Sequence, residues 1–272
     1  MTAALSPKKV RTAHLAEFKQ AGQKFSCLTS YDQLTAGIFD EAGIEVILVG
    51  DSAADNALGY KSTLPISVDE IIPFGRAVAG AASRALVVVD MPFGSYELSP
   101  EQALENAIRI MKLTGADAVK LEGGTRSAAQ IKAITTAGIP VMAHIGFTPQ
   151  SVNNLGGFKV QGRGDGAAAL MEDAVAVADA GAFSVVLELV PAELAKQVTD
   201  TCGIATIGIG AGPDTDGQIL VWTDFAGLSS HKPKKFVKQY AQVRETLLEA
   251  AQAYRAEVAS GVFPEHSRSF EG

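Results

Sequence analysis

Six ionisable side chains share one context, the end of a short apolar run. Asp51 follows Val46-Ile47-Leu48-Val49, and Asp90 follows Leu86-Val87-Val88-Val89. Lys120 and Glu122 flank Leu121, His144 follows Val141-Met142-Ala143, and Glu188 follows Val185-Val186-Leu187. Each alone has a plain explanation. An acid after a strand is more often a helix cap or turn former than a ligand. A lone strand-end His is more often structural, and a lone Lys usually lies at the surface. Gathered in one pocket they need another account, because buried carboxylates repel unless a proton or cation compensates. Three carboxylates with water make a hard-oxygen set suited to Mg2+. With Cys27 and Cys202 in apolar runs and four histidines in all, little is left for zinc.

Environment separates the roles. Asp51 and Asp90 read as direct metal ligands. Lys120 and Glu122 are two apart on a strand and share a face, so Lys120 can hold a substrate carboxylate while Glu122 serves the metal, directly or through water. Glu188 lies within Val185-Val186-Leu187-Glu188-Leu189-Val190. Apolar surroundings disfavour a charged carboxylate, which suits a general base. The plainer alternative for Glu188 is a salt-bridged strand end. Gly208-Ile209-Gly210-Ala211-Gly212 reads as a tight turn, since it lacks the spacing of a dinucleotide fingerprint.

The elements that must hold these residues repeat. A helical stretch ends near Gly43, Gly115, Gly138, Gly181 or Gly203, and a short β-branched run follows within a few residues. Glycine suits the left-handed position past a helix end, and runs apolar on both faces are typical of parallel strands. The runs predict strands at Phe25–Leu28, Val46–Val49, Leu86–Val89, Ala118–Leu121, Val141–Ala143, Val185–Leu187, Thr206–Ile209 and Ile219–Trp222. The last follows the seventh too closely for an intervening helix. Ser67-Val68-Asp69-Glu70 and Ser99-Pro100-Glu101-Gln102 have capping-box form. Ser6-Pro7 predicts the start of an N-terminal helix carrying Val10, Leu15 and Phe18 and ending near Gly22. Phe236, Tyr240, Val243, Leu247 and Leu248 predict helix from Lys232 onward, before a less regular Gly261–Gly272 tail. About eight strand–helix units in 272 residues predict one α/β domain over 1–272, a (β/α)8 TIM barrel with an N-terminal helix and extra C-terminal helices. Active sites of such barrels lie at the C-terminal strand ends, where the six ionisable residues stand.

Composition narrows the class. Hydrophobic residues make up 47% and charged residues 19%, which argues for a globular chain. The net charge of -7 and the lack of a long Lys/Arg run exclude a nucleic-acid footprint; Lys232-Pro233-Lys234-Lys235 reads as a solvated helix start. Met1–Val10 has no apolar leader core and no run reaches spanning length, so a cytoplasmic protein without membrane partners is expected. Two buried free thiols fit a reducing compartment.

Ordered motifs also carry a resemblance. They are Val49-Gly50-Asp51-Ser52, Ser62-Thr63-Leu64-Pro65, Asp90-Met91-Pro92-Phe93, Val119-Lys120-Leu121-Glu122-Gly123-Gly124 and His144-Ile145-Gly146-Phe147-Thr148-Pro149-Gln150-Ser151. Phe158-Lys159-Val160-Gln161-Gly162-Arg163-Gly164, Leu187-Glu188, Gly208 to Gly212 with Thr215-Asp216-Gly217-Gln218, and Gly261-Val262-Phe263-Pro264 follow. From about His14 to Phe270 the chain resembles the ketopantoate hydroxymethyltransferases. The resemblance implies transfer of a one-carbon unit from 5,10-methylenetetrahydrofolate to 3-methyl-2-oxobutanoate, giving 2-dehydropantoate, in pantothenate biosynthesis. It implies Mg2+ at Asp51, Asp90 and Glu122, oxo-acid contacts from Asp51, Ser52, Asp90 and Lys120, and Glu188 as proton acceptor. It also implies a ring-stacked homo-oligomer, a decamer. His144 would orient a substrate oxygen or relay a proton. Lys61 departs from the acidic or small polar residue expected before Ser62-Thr63-Leu64-Pro65, which bears on a covering loop over Ala53–Pro65. Thr148–Arg163 is a second candidate lid or folate-facing segment. Two rivals differ in class: an Mg2+ barrel aldolase or lyase acting on 2-oxo acids, which would need no folate, and a non-catalytic barrel, which has no use for an unpaired Glu188.

Overall fold

The computed structural model describes residues 6–230 and 232–270. Met1–Leu5 of the leader reading and the last two residues of the Gly261–Gly272 tail lie outside them. The chain divides into two compact units, Met1–Val221 and Trp222–Gly272.

The first unit holds a closed barrel of parallel strands in chain order. The strands are β1 (Phe25–Thr29), β2 (Val46–Val49), β3 (Leu86–Asp90), β4 (Ala118–Glu122), β5 (Val141–Gly146), β6 (Ser184–Glu188), β7 (Ala205–Ile209) and β8 (Gly217–Leu220). Pairing of β8 with β1, Phe25 opposite Gly217 and Cys27 opposite Ile219, closes the ring. The connecting helices are α1 (Thr12–Ala21) before β1, α2 (Gln33–Glu41), α3 (Ala53–Asn56), α4 (Val68–Ala81), α5 (Pro100–Thr114), α6 (Ala128–Thr136), α7 (Gly166–Asp179) and α8 (Ala192–Thr201). Ser67 closes a full capping box with Glu70 on α4, and Ser99 caps α5 with Pro100 in its first turn.

Strand periodicity aims the functional side chains. The inner core takes Leu86 and Val88 from β3, Ala118 from β4, Met142 from β5 and Val186 from β6. Side chains on a strand alternate, so the same face next presents Asp90, then Lys120 and Glu122, then His144, then Glu188. A stack that is aliphatic at the bottom therefore turns ionic at its C-terminal layer. Below it, Val10, Leu15 and Phe18 join the same fully buried cluster, with the Phe18 and Phe25 rings 5.9 Å apart.

The opposite rim also carries acids, with a different purpose. Asp40 accepts from the backbone N–H groups of Ser83, Arg84 and Ala85 just before β3. Asp117, before β4, accepts from Val87 N–H and pairs with Lys9. Asp216, before β8, accepts from Thr206 N–H and pairs with Lys19 at 2.9 Å.

Several boundaries differ from the sequence expectation. α1 starts at Thr12, not at Ser6-Pro7. Val10 precedes the helix, and its N–H donates to the Arg84 carbonyl at 2.7 Å. β8 ends at Leu220, and Trp222 instead opens a short helix, α9 (Trp222–Phe225), in the second unit. In that unit the stretch from Lys232 is not helical: α10 spans Val243–Ser260. Tyr240 N–H donates to Phe225 at 2.8 Å, and the two rings stack 5.2 Å apart. That contact back to α9 overrides the helical spacing of Phe236 and Tyr240. Cys27 and Cys202 are both buried free thiols.

Candidate active site

Register places the ionic residues side by side. Asp90 pairs with Lys120 across β3–β4, Glu122 with His144 across β4–β5, and Gly146 with Glu188 across β5–β6. Asp51 comes one residue beyond Gly50, where β2 has ended, and its N–H donates to Asp90 Oδ2 at 2.9 Å. Lys120 Nζ meets Asp90 Oδ1 at 2.7 Å, both side chains being almost wholly buried. His144 stands between two glutamates, Nδ1 at 3.5 Å from Glu122 Oε1 and Nε2 at 3.3 Å from Glu188 Oε2. Lys120 Nζ is 3.4 Å from His144 Nδ1. These last contacts are long for hydrogen bonds. All five acids and bases of this row, with Asp51, are buried.

The charges are crowded. Burial first, then repulsion from Asp90 and Glu122, pushes Asp51 up to about 8. Burial likewise raises Asp90, although Lys120 works against it. Lys120 is opposed by burial but held above its ordinary value by Asp90, Glu122 and Asp51. Burial and the Lys120 ammonium oppose the charged form of His144, yet Glu122 and Glu188 outweigh them and carry it up to about 9.

Among the described residues, no three His, Cys, Asp or Glu side chains are gathered into a metal-holding group. The donors nevertheless suit a hard cation in kind. Three carboxylates crowd Lys120, and Glu122 Oε1 is buried without a hydrogen-bond partner. A small divalent cation would relieve both conditions.

Ser52, the first residue flanking α3, has its Oγ 2.7 Å from the Tyr31 hydroxyl. In the Ala53–Pro65 loop, Tyr60 donates to Glu70 at 2.6 Å, which ties the loop to α4, while Lys61 is exposed. In the Thr148–Arg163 loop, Phe158 packs edge-on to Phe147 at 4.6 Å, and Gln161 N–H donates to the carbonyl of Leu189, the neighbour of Glu188.

Strand-end reading missed three polar residues. Gln150, in the loop after β5, gives its N–H to Glu122 Oε2 at 3.0 Å and its side-chain amide to Asp51 Oδ2 at 2.9 Å. Tyr96, in the loop after β3, donates to Gln150 Oε1. Tyr31 follows β1, the one early strand whose end carried no charged residue to attract notice. Tyr96 lies six residues beyond the end of β3 and Gln150 four beyond the end of β5, and only the chain's return brings them in.

The sequence pattern of the ketopantoate hydroxymethyltransferase family matches residues 9–266. A 3-methyl-2-oxobutanoate hydroxymethyltransferase from Leifsonia xyli subsp. xyli is 61% identical over 97% of this chain and 96% of its own. One from Mycobacterium tuberculosis H37Rv is 61% identical over 96% of this chain and 93% of its own. Among solved structures, a phosphonopyruvate hydrolase complexed with oxalate and Mg2+ superposes with a TM-score of 0.61 at 12% identity, covering 96% of this chain and 92% of that one. A 2,3-dimethylmalate lyase of the PEP mutase/isocitrate lyase superfamily gives 0.61 at 16% identity, covering 97% and 93%. The structural likenesses establish the barrel alone. By the match across nearly its whole length, this chain belongs to the ketopantoate hydroxymethyltransferase family.

Proposed function

We propose that the protein transfers a hydroxymethyl group from 5,10-methylenetetrahydrofolate to 3-methyl-2-oxobutanoate, giving 2-dehydropantoate on the route to pantothenate. One observation carries this reading: the family match over residues 9–266 falls on a barrel whose inward strand-end layer is Asp90, Lys120, Glu122, His144 and Glu188.

Asp51, Asp90 and Glu122 would hold Mg2+, which when bound polarises the keto oxygen and stabilises negative charge on it. Lys120 and Ser52 hold the oxo-acid carboxylate, with the ammonium kept charged by the acids around it. Glu188 removes the proton from C3, the carbon next to the carbonyl. His144, 3.3 Å away, orients that carboxylate and stabilises its charge. The C3 carbanion equivalent attacks the methylene carbon of the folate, water supplies the hydroxyl, and tetrahydrofolate leaves. The same reading makes the protein a cytoplasmic homodecamer, which sedimentation velocity tests directly.

Product formation should require both the oxo acid and methylenetetrahydrofolate. Turnover of the oxo acid without the folate would assign the site to a lyase instead. Deuterium exchange at C3, followed by NMR, should occur in the wild type with Mg2+ and be lost in Glu188→Gln; equal exchange in both removes Glu188 as the base.

A further inference from the structure

We infer that Gln150 is a positioning residue that locks Asp51 and Glu122 into one arrangement, and that Tyr96 sets the direction of its amide. The inference rests on the reading that those two acids serve the reaction.

Donor and acceptor arithmetic fixes the network. The Glu122 backbone N–H donates to the Tyr96 hydroxyl oxygen at 3.3 Å. That leaves the hydroxyl hydrogen to go to Gln150 Oε1. With its oxygen committed, the Gln150 amide must turn its NH2 toward two acceptors, Asp51 Oδ2 at 2.9 Å and the Met91 carbonyl at 3.1 Å. The backbone N–H of the same residue reaches Glu122 Oε2 at 3.0 Å. One residue thus touches acids from the ends of β2 and β4 and the carbonyl that follows Asp90. Gln150 and Tyr96 are both buried, so water does not readily replace either bond.

The wiring explains why the amide matters more than its volume. A buried carboxylate held by a directed N–H cannot swing toward its neighbour, and the reacting atoms need placement within a fraction of an ångström. A flipped amide would set its oxygen against Asp51 and the Met91 carbonyl, two acceptors. Tyr96 prevents that flip from one side and Asp51 favours the same orientation from the other.

Four variants of the full-length enzyme test the inference: Gln150→Ala, Gln150→Glu, Tyr96→Phe and the double variant Gln150→Ala/Tyr96→Phe, with Asp51→Asn as control. Each is measured for kcat and KM with oxo acid, methylenetetrahydrofolate and Mg2+, for Mg2+ affinity by calorimetry, and for Tm. Loss of a directed hydrogen bond to a charged group predicts roughly a 10- to 100-fold fall in kcat/KM for Gln150→Ala. Gln150→Glu keeps the volume but faces acceptors, so it should fall at least as far, with weakened Mg2+ affinity. Tyr96→Phe, the mildest change, should fall about 3- to 10-fold, and the double variant should lose less than the product of the two single losses, because the bond from Tyr96 to Gln150 is shared by both. Near-wild-type kinetics in Gln150→Glu would mean that Gln150 only fills space. Additive losses in the double variant would equally overturn the wiring. If Asp51→Asn is inactive while every Gln150 and Tyr96 variant is fully active, the inference fails alone; if Asp51→Asn is itself active, the underlying reading fails.

Discussion

Replacing Lys120 with methionine is the most informative single perturbation of the ionic layer. The ammonium lies 2.7 Å from Asp90 Oδ1, and both side chains are at most 5% exposed. Methionine keeps most of the aliphatic stem and removes the charge. Asp90 would then be a buried carboxylate without its counter-ion, next to Asp51 and Glu122. Breaking a buried pair from one side costs about 3–5 kcal/mol. For a chain of this size that corresponds to a fall in Tm of roughly 6–20 °C. Loss of the proposed substrate anchor should also lower kcat/KM on the order of 10²- to 10³-fold. The assay is thermal unfolding by circular dichroism, with steady-state transferase kinetics on the same preparations. A second substitution separates the two effects: Lys120→Met/Asp90→Asn removes the stranded charge and should recover most of the lost Tm while remaining inactive. A double variant no more stable than Lys120→Met would refute the pairing argument. A double variant that regains activity would refute the anchoring role.

Other consequences follow from separate features. Gly146 has φ 88°, and a Cβ there would lie 2.4 Å from the Glu188 carbonyl oxygen. Gly146→Ala should therefore shift Glu188 and lower kcat roughly 10- to 100-fold, and an unchanged kcat would show that this backbone contact does not place the base. Chelation with EDTA should abolish transfer and Mg2+ should restore it; full activity in EDTA would end the metal proposal. Burial works to raise Asp40, but hydrogen bonds from Ala85, Ser83 and Arg84 outweigh it and hold the carboxyl below its ordinary 3.8. Its folded value being the lower one, its contribution to stability is present above 3.8 and is lost as pH falls through the folded value. Asp40→Asn should flatten the acid limb of a Tm-against-pH curve, and an identical acid limb in both proteins would contradict this.

The barrel was legible because its strands are covered on both faces. Val46–Val49 and Leu86–Val89 are uninterrupted apolar runs, and such runs between helices leave few alternatives. β8 was harder to read because Gly217 and Gln218 break the run, so its register slid two residues toward Trp222. The start of α1 was misplaced because Ser6-Pro7 has the form of a cap, whereas the structure uses Arg11 and His14. The site divided along the same line. Asp90, Lys120, Glu122, His144 and Glu188 were legible because strand alternation continues an aliphatic series into an ionic one. Gln150, Tyr96 and Tyr31 were not, because their positions depend on how a loop folds back, and no periodicity records that.

The acids of the two barrel rims repay comparison. Asp40, Asp117 and Asp216 spend their oxygens on backbone N–H groups, with Lys9 and Lys19 beside the latter two. They act as clasps, and their value is structural. Asp51, Asp90 and Glu122 are left crowded around one lysine. Under the proposed function, the molecule separates durability from reactivity by about the height of one strand. Thermal tolerance can be engineered at the clasped rim without altering turnover, whereas any change that relaxes the crowded rim exchanges catalytic readiness for stability. Random substitutions that stabilise this protein should accordingly map to the clasped rim and the outer helices, and those that sharpen or redirect its chemistry to the other.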